Sequence, residues 1–372
     1  MKSIALSGNS SWSILNFRKN LIIRLIKEGY DVHIIAPSDS SSKALVSMGC
    51  SFHNIKMQRL GLNPFKDIFL VLNYYRLLSQ LKIDYVCSFN VKPNLYISFA
   101  CYFLKTKQIM NISGLGSAFL QGGLISFVVK TLYKIALFQS RIVFFQNHDD
   151  LKLFRDYKIY SANKENVLPG SGIDLKTFPL NNNHLLHAGV GKKIVFIGRL
   201  IKDKGIREFL QSAKEVSSRH KEVDFYIYGE VDKNNPSSLT VNERDSVIHP
   251  RIHFLGKVEN IKNALKDSHC VVLPSYREGM SRSLLEAAAT GIPVIATNVP
   301  GCKEIVDHNV NGFLCEASNS KDLTHKIENF LSLSPIKMKN MGDAGRLKIE
   351  KEFSVEIVIN QYICKLKQSY KN

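Results

Sequence analysis

The stretch Leu273–Gly301, LPSYREGMSRSLLEAAATGIPVIATNVPG, carries the reading of the whole chain. A short apolar run before it, Cys270–Leu273, reads as a buried strand. Ser281–Thr290 is rich in Ala and Leu, free of Gly and Pro, and halted by Gly291, which predicts a helix. Pro293–Thr297 follows at once as a second strand. Strand, loop, helix and strand in that order belong to a parallel α/β sheet. Two carboxylates lie close to the helix: Glu278 in the loop before it, and Glu286 about two turns further on. A helix start presents unpaired backbone N–H groups and partial positive charge, which suits a diphosphate. The loop Glu278-Gly279-Met280-Ser281 would deliver those groups, and Gly279 lets the backbone approach a ligand closely. The spacing E-x7-E alone is also what a surface helix with two solvated Glu shows, so the reading leans on the residues around it.

Working outward, Lys193–Ile197 reads as a strand, followed by the loop Gly198-Arg199-Leu200-Ile201-Lys202-Asp203-Lys204-Gly205 and a helix from Ile206. Asp224–Tyr228 and Ile252–Gly256 are further strands, Asn260–Asp267 a short helix, Gly301–Val306 the start of a helix, and Asn309–Leu314 a turn plus strand. The first half opens with the strand Ser3–Ser7, the loop Gly8-Asn9-Ser10-Ser11, the helix Asn16–Glu28 and the strand Asp31–Pro37, a β-α-β unit that implies a parallel sheet. After the break Gly61-Leu62-Asn63-Pro64 comes an apolar-aromatic helix, Phe65–Leu81. Its Phe65, Phe69, Leu72, Tyr75 and Leu78 share a face, while Val71, Tyr74 and Leu77 lie off that stripe, so the apolar surface is broad. Asp84–Phe89 is a strand with Asn90–Asn94 as its loop, and helix Leu95–Leu104 follows. Gln108–Ser113 runs as a strand into Gly114-Leu115-Gly116, then come helix Leu124–Gln139 and strand Arg141–Phe145. Polar Phe178–Gly191 is placed as the linker, and Val355–Ser369 as the last helix.

These segments together resemble the family-4 retaining glycosyltransferases. E-x7-E after an LPSYREG-like strand end, followed by TGIPVIATNVPG, is similar to that family's nucleotide-sugar site, and Lys164–Asp174 resembles the G-x-G-[IV]-D stretch that ends its first domain. The ISGLGSAF, LNPF and KPN segments resemble a narrower subgroup that adds N-acetylhexosamine or hexose to undecaprenyl-diphosphate-linked sugars. The resemblance implies an α/β GT-B fold, two facing Rossmann-like domains with parallel sheets. Residues 1–180 would form the acceptor-binding domain, with a C-terminal helix 355–372 crossing back to it, and 190–354 the nucleotide-sugar domain. In matched positions Arg199 and Lys204, after Gly198, would bind the donor diphosphate, with Gly279, Met280 and Ser281 adding backbone N–H groups. Glu278 would hold the donor sugar's hydroxyls and Glu286 the ribose. Arg199, Lys204 and Glu278 are the residues placed in catalysis. Gly8, Asn9, Lys92 and Gly114 would lie on the acceptor side. Many members carry a His before the glycine at position 114, and this chain has Ser113 there.

The chemistry fits the residue types. A leaving nucleoside diphosphate gains negative charge as the glycosidic bond breaks, so fixed cations favour the transition state over the ground state. Arg offers a bidentate fork and Lys a point charge. No Asp-x-Asp motif is visible, so no metal or other cofactor is expected beyond the UDP-sugar substrate.

Composition bounds the rest. The 372 residues suit two domains. The seven scattered cysteines form no C-x-x-C pair, which points to reduced thiols. No signal peptide and no membrane-spanning run is read. The net charge is +18, and the excess sits in the first half, with 22 Lys and Arg against 10 Asp and Glu up to Leu185. Between Asp84 and Asp149 there is no acid, while Lys92, Lys105, Lys107, Lys130, Lys134 and Arg141 stand among many apolar residues. Basic plus aromatic fits an anionic membrane surface or a solubilising surface; no nucleic-acid motif is present. The expected function is transfer of a sugar, N-acetylgalactosamine, N-acetylglucosamine or a hexose, from a UDP-sugar to a polyprenyl-diphosphate-linked saccharide in bacterial surface-glycan synthesis. The enzyme would be cytoplasmic and peripheral on the inner face of the plasma membrane. The alternatives are a UDP-N-acetylglucosamine 2-epimerase of the same fold and a non-catalytic sugar-nucleotide-binding protein.

Overall fold

The computed structural model describes residues 2–58, 64–120, 122–159, 164–181, 191–232, 235–258 and 260–371. The chain divides into two compact units, residues 1–171 with 355–372, and residues 172–354. The first is built on β1 (Lys2–Ser7), β2 (Tyr30–Ala36), β3 (Ser51–Asn54), β4 (Tyr85–Phe89), β5 (Lys107–Ile112), β6 (Ile142–Phe145) and β7 (Glu165–Val167). Its sheet runs β3-β2-β1-β4-β5-β6-β7, every pair parallel. The second is built on β8 (Lys192–Ile197), β9 (Val223–Tyr228), β10 (Ile252–Gly256), β11 (Cys270–Leu273), β12 (Val294–Thr297) and β13 (Gly312–Cys315). Its order is β10-β9-β8-β11-β12-β13, again all parallel.

Parallel strands need crossovers, and helices cover both faces of the first sheet. Successive strand residues point to opposite sides, so Ile142 and Phe144 enter one core while Val143 and Phe145 enter the other. One face is packed by helices Ser11–Lys27 and Val355–Lys371, the other by Pro64–Leu81, Val91–Leu104 and Gly123–Gln139. The C-terminal helix is anchored through Tyr362, fully buried, whose hydroxyl accepts from Asn111 Nδ2 at 2.7 Å. In the second unit, helices Ser320–Leu331 and Pro335–Glu352, to which the sequence reading gave no role, complete the core. Among the described residues no helix is long and apolar enough to cross a membrane.

Several boundaries differ from expectation. The first helix starts at Ser11, because Ser10 caps it by accepting the Ser13 N–H at 3.1 Å. The expected loop Asn90–Asn94 is mostly the first turn of helix Val91–Leu104, where Pro93 lacks only an N–H that the turn does not use. No helix forms at Gly301–Val306. That segment makes short turns, with Cys302 N–H to Val299 O and Ile305 N–H to Cys302 O, and Asn311 Oδ1 then takes the Asp307 N–H. The break at 61–63 lies outside the described residues, as does the linker beyond Asn181. The start of that linker is ordered: Phe178 is buried in the second unit's core, and its carbonyl accepts from Arg346.

One polar cluster at the edge of the first sheet makes stability depend on pH. His33 Nδ1 lies 3.0 Å from His53 Nε2, and His33 Nε2 lies 3.1 Å from Asp31 Oδ2. Burial, then repulsion from His33, holds His53 below its ordinary pKa. The unfolded chain therefore binds a proton more readily than the folded one. The contribution is fully present above the unfolded value of about 6.5 and is lost as pH falls below it, toward the lowered folded value. The midpoint of thermal unfolding should fall as pH drops from about 7 to about 5, and His53→Gln should flatten part of that slope. An unchanged slope in the variant would mean that other groups carry the acid sensitivity.

Candidate active site

In an open parallel sheet, ligands bind beyond the carboxyl ends of the strands where the chain reverses its direction of strand addition. The second sheet has that point between β8 and its neighbour β11. The loop leaving β8 carries Gly198, Arg199 and Lys204, and the loop leaving β11 carries Ser275, Glu278, Gly279, Met280 and Ser281. The helix that follows, Arg282–Ala289, carries Glu286. All donor-side residues read from the sequence therefore gather at one edge of one unit.

Backbone contacts knit these loops together. Tyr276 N–H donates to Asp203 O at 2.9 Å. Gly205, at φ +68°, packs so closely on Pro274 that a Cβ would stand 2.0 Å from its carbonyl oxygen. The loop leaving β12 closes the other side: Glu278 N–H donates to Pro300 O and Ser281 N–H to Gly301 O, both at 2.9 Å. The Ser281 N–H, expected to face a diphosphate, is thus taken by Gly301. Ser281 makes no side-chain cap, and by helix geometry the N–H groups of Ser283 and Leu284 have no acceptor within the helix.

The side chains are paired as well. Lys204 Nζ donates to Glu278 Oε1, which also accepts from Ser275 Oγ at 2.7 Å. Ser275 is fully buried, and its own carbonyl accepts from Thr297 Oγ1. Arg199 reaches Asp232 at 3.3 Å. Glu286 is 8% exposed, and burial pushes its carboxyl pKa up while the Arg282 guanidinium, 2.8 Å away, opposes that shift. The thiol of Cys302, wholly buried, is pushed well up by burial and then by the nearby Glu278 carboxylate. Ser275, Asp232 and Arg282 had escaped the sequence reading. Ser275 lies three places before Glu278, which hinted at a role; the partnership of Asp232 with Arg199 had no local signal. Among the described residues no group of three or more His, Cys, Asp or Glu is arranged to hold a metal ion.

The first sheet reverses between β1 and β4. Gly8 and Asn9 leave β1 there, and Asn90 leaves β4. Asn90 Oδ1 accepts the Asn9 N–H at 3.3 Å, and Asn90 adopts φ 71°, ψ 163°, a region otherwise left to glycine. Lys92 lies in the next turn, largely buried, with Nζ 3.1 Å from Asp67 Oδ1. Gly114 follows the neighbouring strand β5, at φ 136°. The four residues expected on the acceptor side therefore sit at the carboxyl edge of this unit, with Lys92 paired to Asp67.

Two family models match the chain: "Glycosyl transferase 4-like" over residues 3–147 and "Glycosyl transferases group 1" over residues 180–348. The fold is GT-B, and the chain belongs to the glycosyltransferases of this family. It is similar to the N,N'-diacetylbacillosaminyl-diphospho-undecaprenol alpha-1,3-N-acetylgalactosaminyltransferase of Campylobacter jejuni, 26% identical over 97% of each chain. It is also similar to the capsular polysaccharide biosynthesis glycosyltransferase CapM of Staphylococcus aureus, 27% identical over 90% of this chain and 89% of CapM. Among solved structures, a glycosyltransferase from Rickettsia africae superposes with a TM-score of 0.79 at 18% identity, covering 100% of this chain and 99% of that one. Anabaena HepE in complex with UDP does so with a TM-score of 0.79 at 17% identity, covering 99% and 100%.

The close approach beneath Glu278 gives a test of this geometry. Gly301 stands at φ +80°, and a Cβ there would lie 2.4 Å from the Glu278 carbonyl oxygen. Gly122 has a similar φ of +76° with nothing within 4 Å. Gly122→Ala should therefore meet only the backbone term, about 1–3 kcal/mol, and Gly301→Ala should lose roughly 2–3 kcal/mol more through the clash with the Glu278 carbonyl. Denaturant unfolding of the two variants compares them, and equal losses would contradict the packing described.

Proposed function

We propose that the enzyme transfers a sugar from a UDP-sugar to a polyprenyl-diphosphate-linked saccharide, in the assembly of a bacterial surface glycan. The observation that carries the reading is the convergence of Arg199, Lys204 and Glu278 at the reversal point of the second sheet. The acceptor class is supported by the relatives, among them a UDP-Gal:alpha-D-GlcNAc-diphosphoundecaprenol alpha-1,3-galactosyltransferase of Escherichia coli, 26% identical over 70% of this chain and 69% of that one. The relatives are transferases, and the epimerase alternative is set aside.

In this reading the donor diphosphate lies at the start of helix Arg282–Ala289 and draws Arg199 and Lys204 from Asp232 and Glu278. Glu278, released from Lys204 and steadied by Ser275, accepts hydrogen bonds from the donor sugar. Glu286 takes the ribose. As the glycosidic bond breaks, the two cations balance the charge growing on the leaving phosphate. That phosphate accepts the proton of the attacking hydroxyl, which joins the same face of the sugar and retains its configuration. Gly8, Asn9, Lys92 and Gly114 line the acceptor side. Transfer takes place on the cytoplasmic side of the plasma membrane, with the enzyme held peripherally, where sugar nucleotides and the lipid carrier meet.

Transfer of radiolabel from a UDP-sugar panel to synthetic polyprenyl-diphosphate saccharides tests the reading. Activity is expected in EDTA, and complete loss on chelation restored by manganese would reveal a metal site. Arg199→Ala and Lys204→Ala should each lower kcat roughly 10²-fold. Glu286→Ala should weaken UDP binding measured by calorimetry, whereas Glu278→Gln, which takes a competitor away from Lys204, should hold or raise UDP affinity and impair transfer. Equal losses of UDP affinity in the last two would remove the division of roles.

A further inference from the structure

The helix layer on one face of the first unit turns apolar side chains outward. Fourteen of the 26 exposed large apolar residues among those described lie between Phe65 and Phe138, whereas the helices on the opposite face of the same sheet contribute three, Trp12, Ile23 and, from the short helix Ser42–Ser47, Val46. Helix Gly123–Gln139 buries Ser126, Val129, Tyr133, Ala136 and Leu137 against the sheet. Its opposite stripe, Leu124, Phe127, Val128, Ile135 and Phe138, is exposed, with Leu124 at 78% and Phe138 at 73%. Helix Pro64–Leu81 repeats the pattern, burying Leu70, Tyr74 and Leu78 and exposing Phe65, Ile68, Phe69 and Leu72. Helix Val91–Leu104 packs with both and shows Tyr102 and Phe103 at its end. Each of the two outer helices is thus apolar on both sides, about 25 Å long by helix geometry, and only one side is used by the core.

Charge identifies the occupant of the other side. These three helices contain a single acid, Asp67, which is buried and paired with Lys92. Arg76 and Lys134 are exposed on the layer, and Lys105 at its rim. Two of the basic residues in the acid-free window turn away from this role: Lys130 lies 3.6 Å from the centre of the Tyr157 ring, and Lys107 donates to Ser369 O. A second copy of the chain using the same patch would set cation against cation with no exposed acid between them. A bilayer with anionic headgroups offers hydrocarbon for the stripes and negative charge for the rim.

We propose that the layer formed by helices Pro64–Leu81, Val91–Leu104 and Gly123–Gln139 is a membrane-docking surface, with the outward stripes of its two outer helices inserted at the headgroup boundary of an anionic leaflet. This names a partner for the transferase reading and the residues that meet it. Insertion of apolar side chains is the main attraction and charge the lesser one, so salt weakens the association without abolishing it.

Co-sedimentation of the full chain with phosphatidylcholine vesicles, with and without phosphatidylglycerol, tests the proposal. Binding should be stronger with phosphatidylglycerol and should survive in part at high salt. Phe127→Ser with Phe138→Ser should lower vesicle affinity roughly tenfold or more, while UDP binding and the unfolding midpoint stay near those of the native protein. Arg76→Glu with Lys134→Glu should remove the preference for phosphatidylglycerol. Equal binding of native and Phe127/Phe138-substituted protein would overturn the proposal. So would a native protein that ignores vesicles at low salt, or a dimer seen by sedimentation equilibrium that the same double substitution turns into monomer. None of these measurements needs a donor or an acceptor sugar. Transfer to a short-chain, water-soluble diphosphate acceptor reports on the catalytic reading alone, so the two can fail separately.

Discussion

The loop bearing Glu278 is held from both sides, and the site depends on that. Its own N–H donates to Pro300, and Gly301 lies so close beneath it that no side chain fits between. On the other flank Tyr276 N–H reaches Asp203, and Gly205 meets Pro274 backbone to backbone. The three loops leaving β8, β11 and β12 are thereby one rigid rim, and Glu278 and the start of its helix are fixed relative to Lys204. Preorganisation of this kind matters because polar groups already in place need no reorganisation as charge develops.

Much of this was legible in the sequence, and the reasons can be named. Parallel strands buried on both faces give short apolar runs such as Cys270–Leu273, and glycines at positive φ mark the points where loops meet. The strand order, and with it the reversal point, came only from the structure, because sequence does not say which parallel strands are neighbours. Hydrogen-bond partners were not legible, since the Ser281 N–H looks available until Gly301, twenty residues later in sequence, is seen to accept it. Nor could the pattern tell which side of helix Pro64–Leu81 faces the core. Of the stripe Phe65, Phe69, Leu72, Tyr75 and Leu78, the first four are exposed and Leu78 is buried, and the buried face runs through Leu70, Tyr74 and Leu78. Periodicity finds an apolar face, and a helix with two of them defeats it.

The reversal point of the first sheet is built differently. There the loops after β1 and β4 are joined through one strained residue: Asn90 holds a backbone conformation costing about 1–3 kcal/mol, and its side chain takes the Asn9 N–H. Nothing in the sequence marks that conformation, because asparagine is common in ordinary turns. Strain of this size persists only where the surroundings over-determine it, and here the buried first turn of helix Val91–Leu104 supplies them, with Asn94 fully buried and its N–H bonded to the Asn90 carbonyl.

Both cations of the second unit's candidate site have carboxylate companions, Asp232 for Arg199 and Glu278 for Lys204. Under the proposed roles a nucleoside diphosphate arriving there would not meet bare charge; it would compete with an internal ligand set. Its affinity would then be the difference between two pairings, and that difference is smaller than either pairing alone. The same competition acts after transfer. Under those roles the carboxylates beside the cations would act as an internal leaving aid, and the spent diphosphate would be displaced by groups that need not diffuse in. A tightly gripping site would stall on its own product, and a site that carries its own competitor is reset for the next turnover.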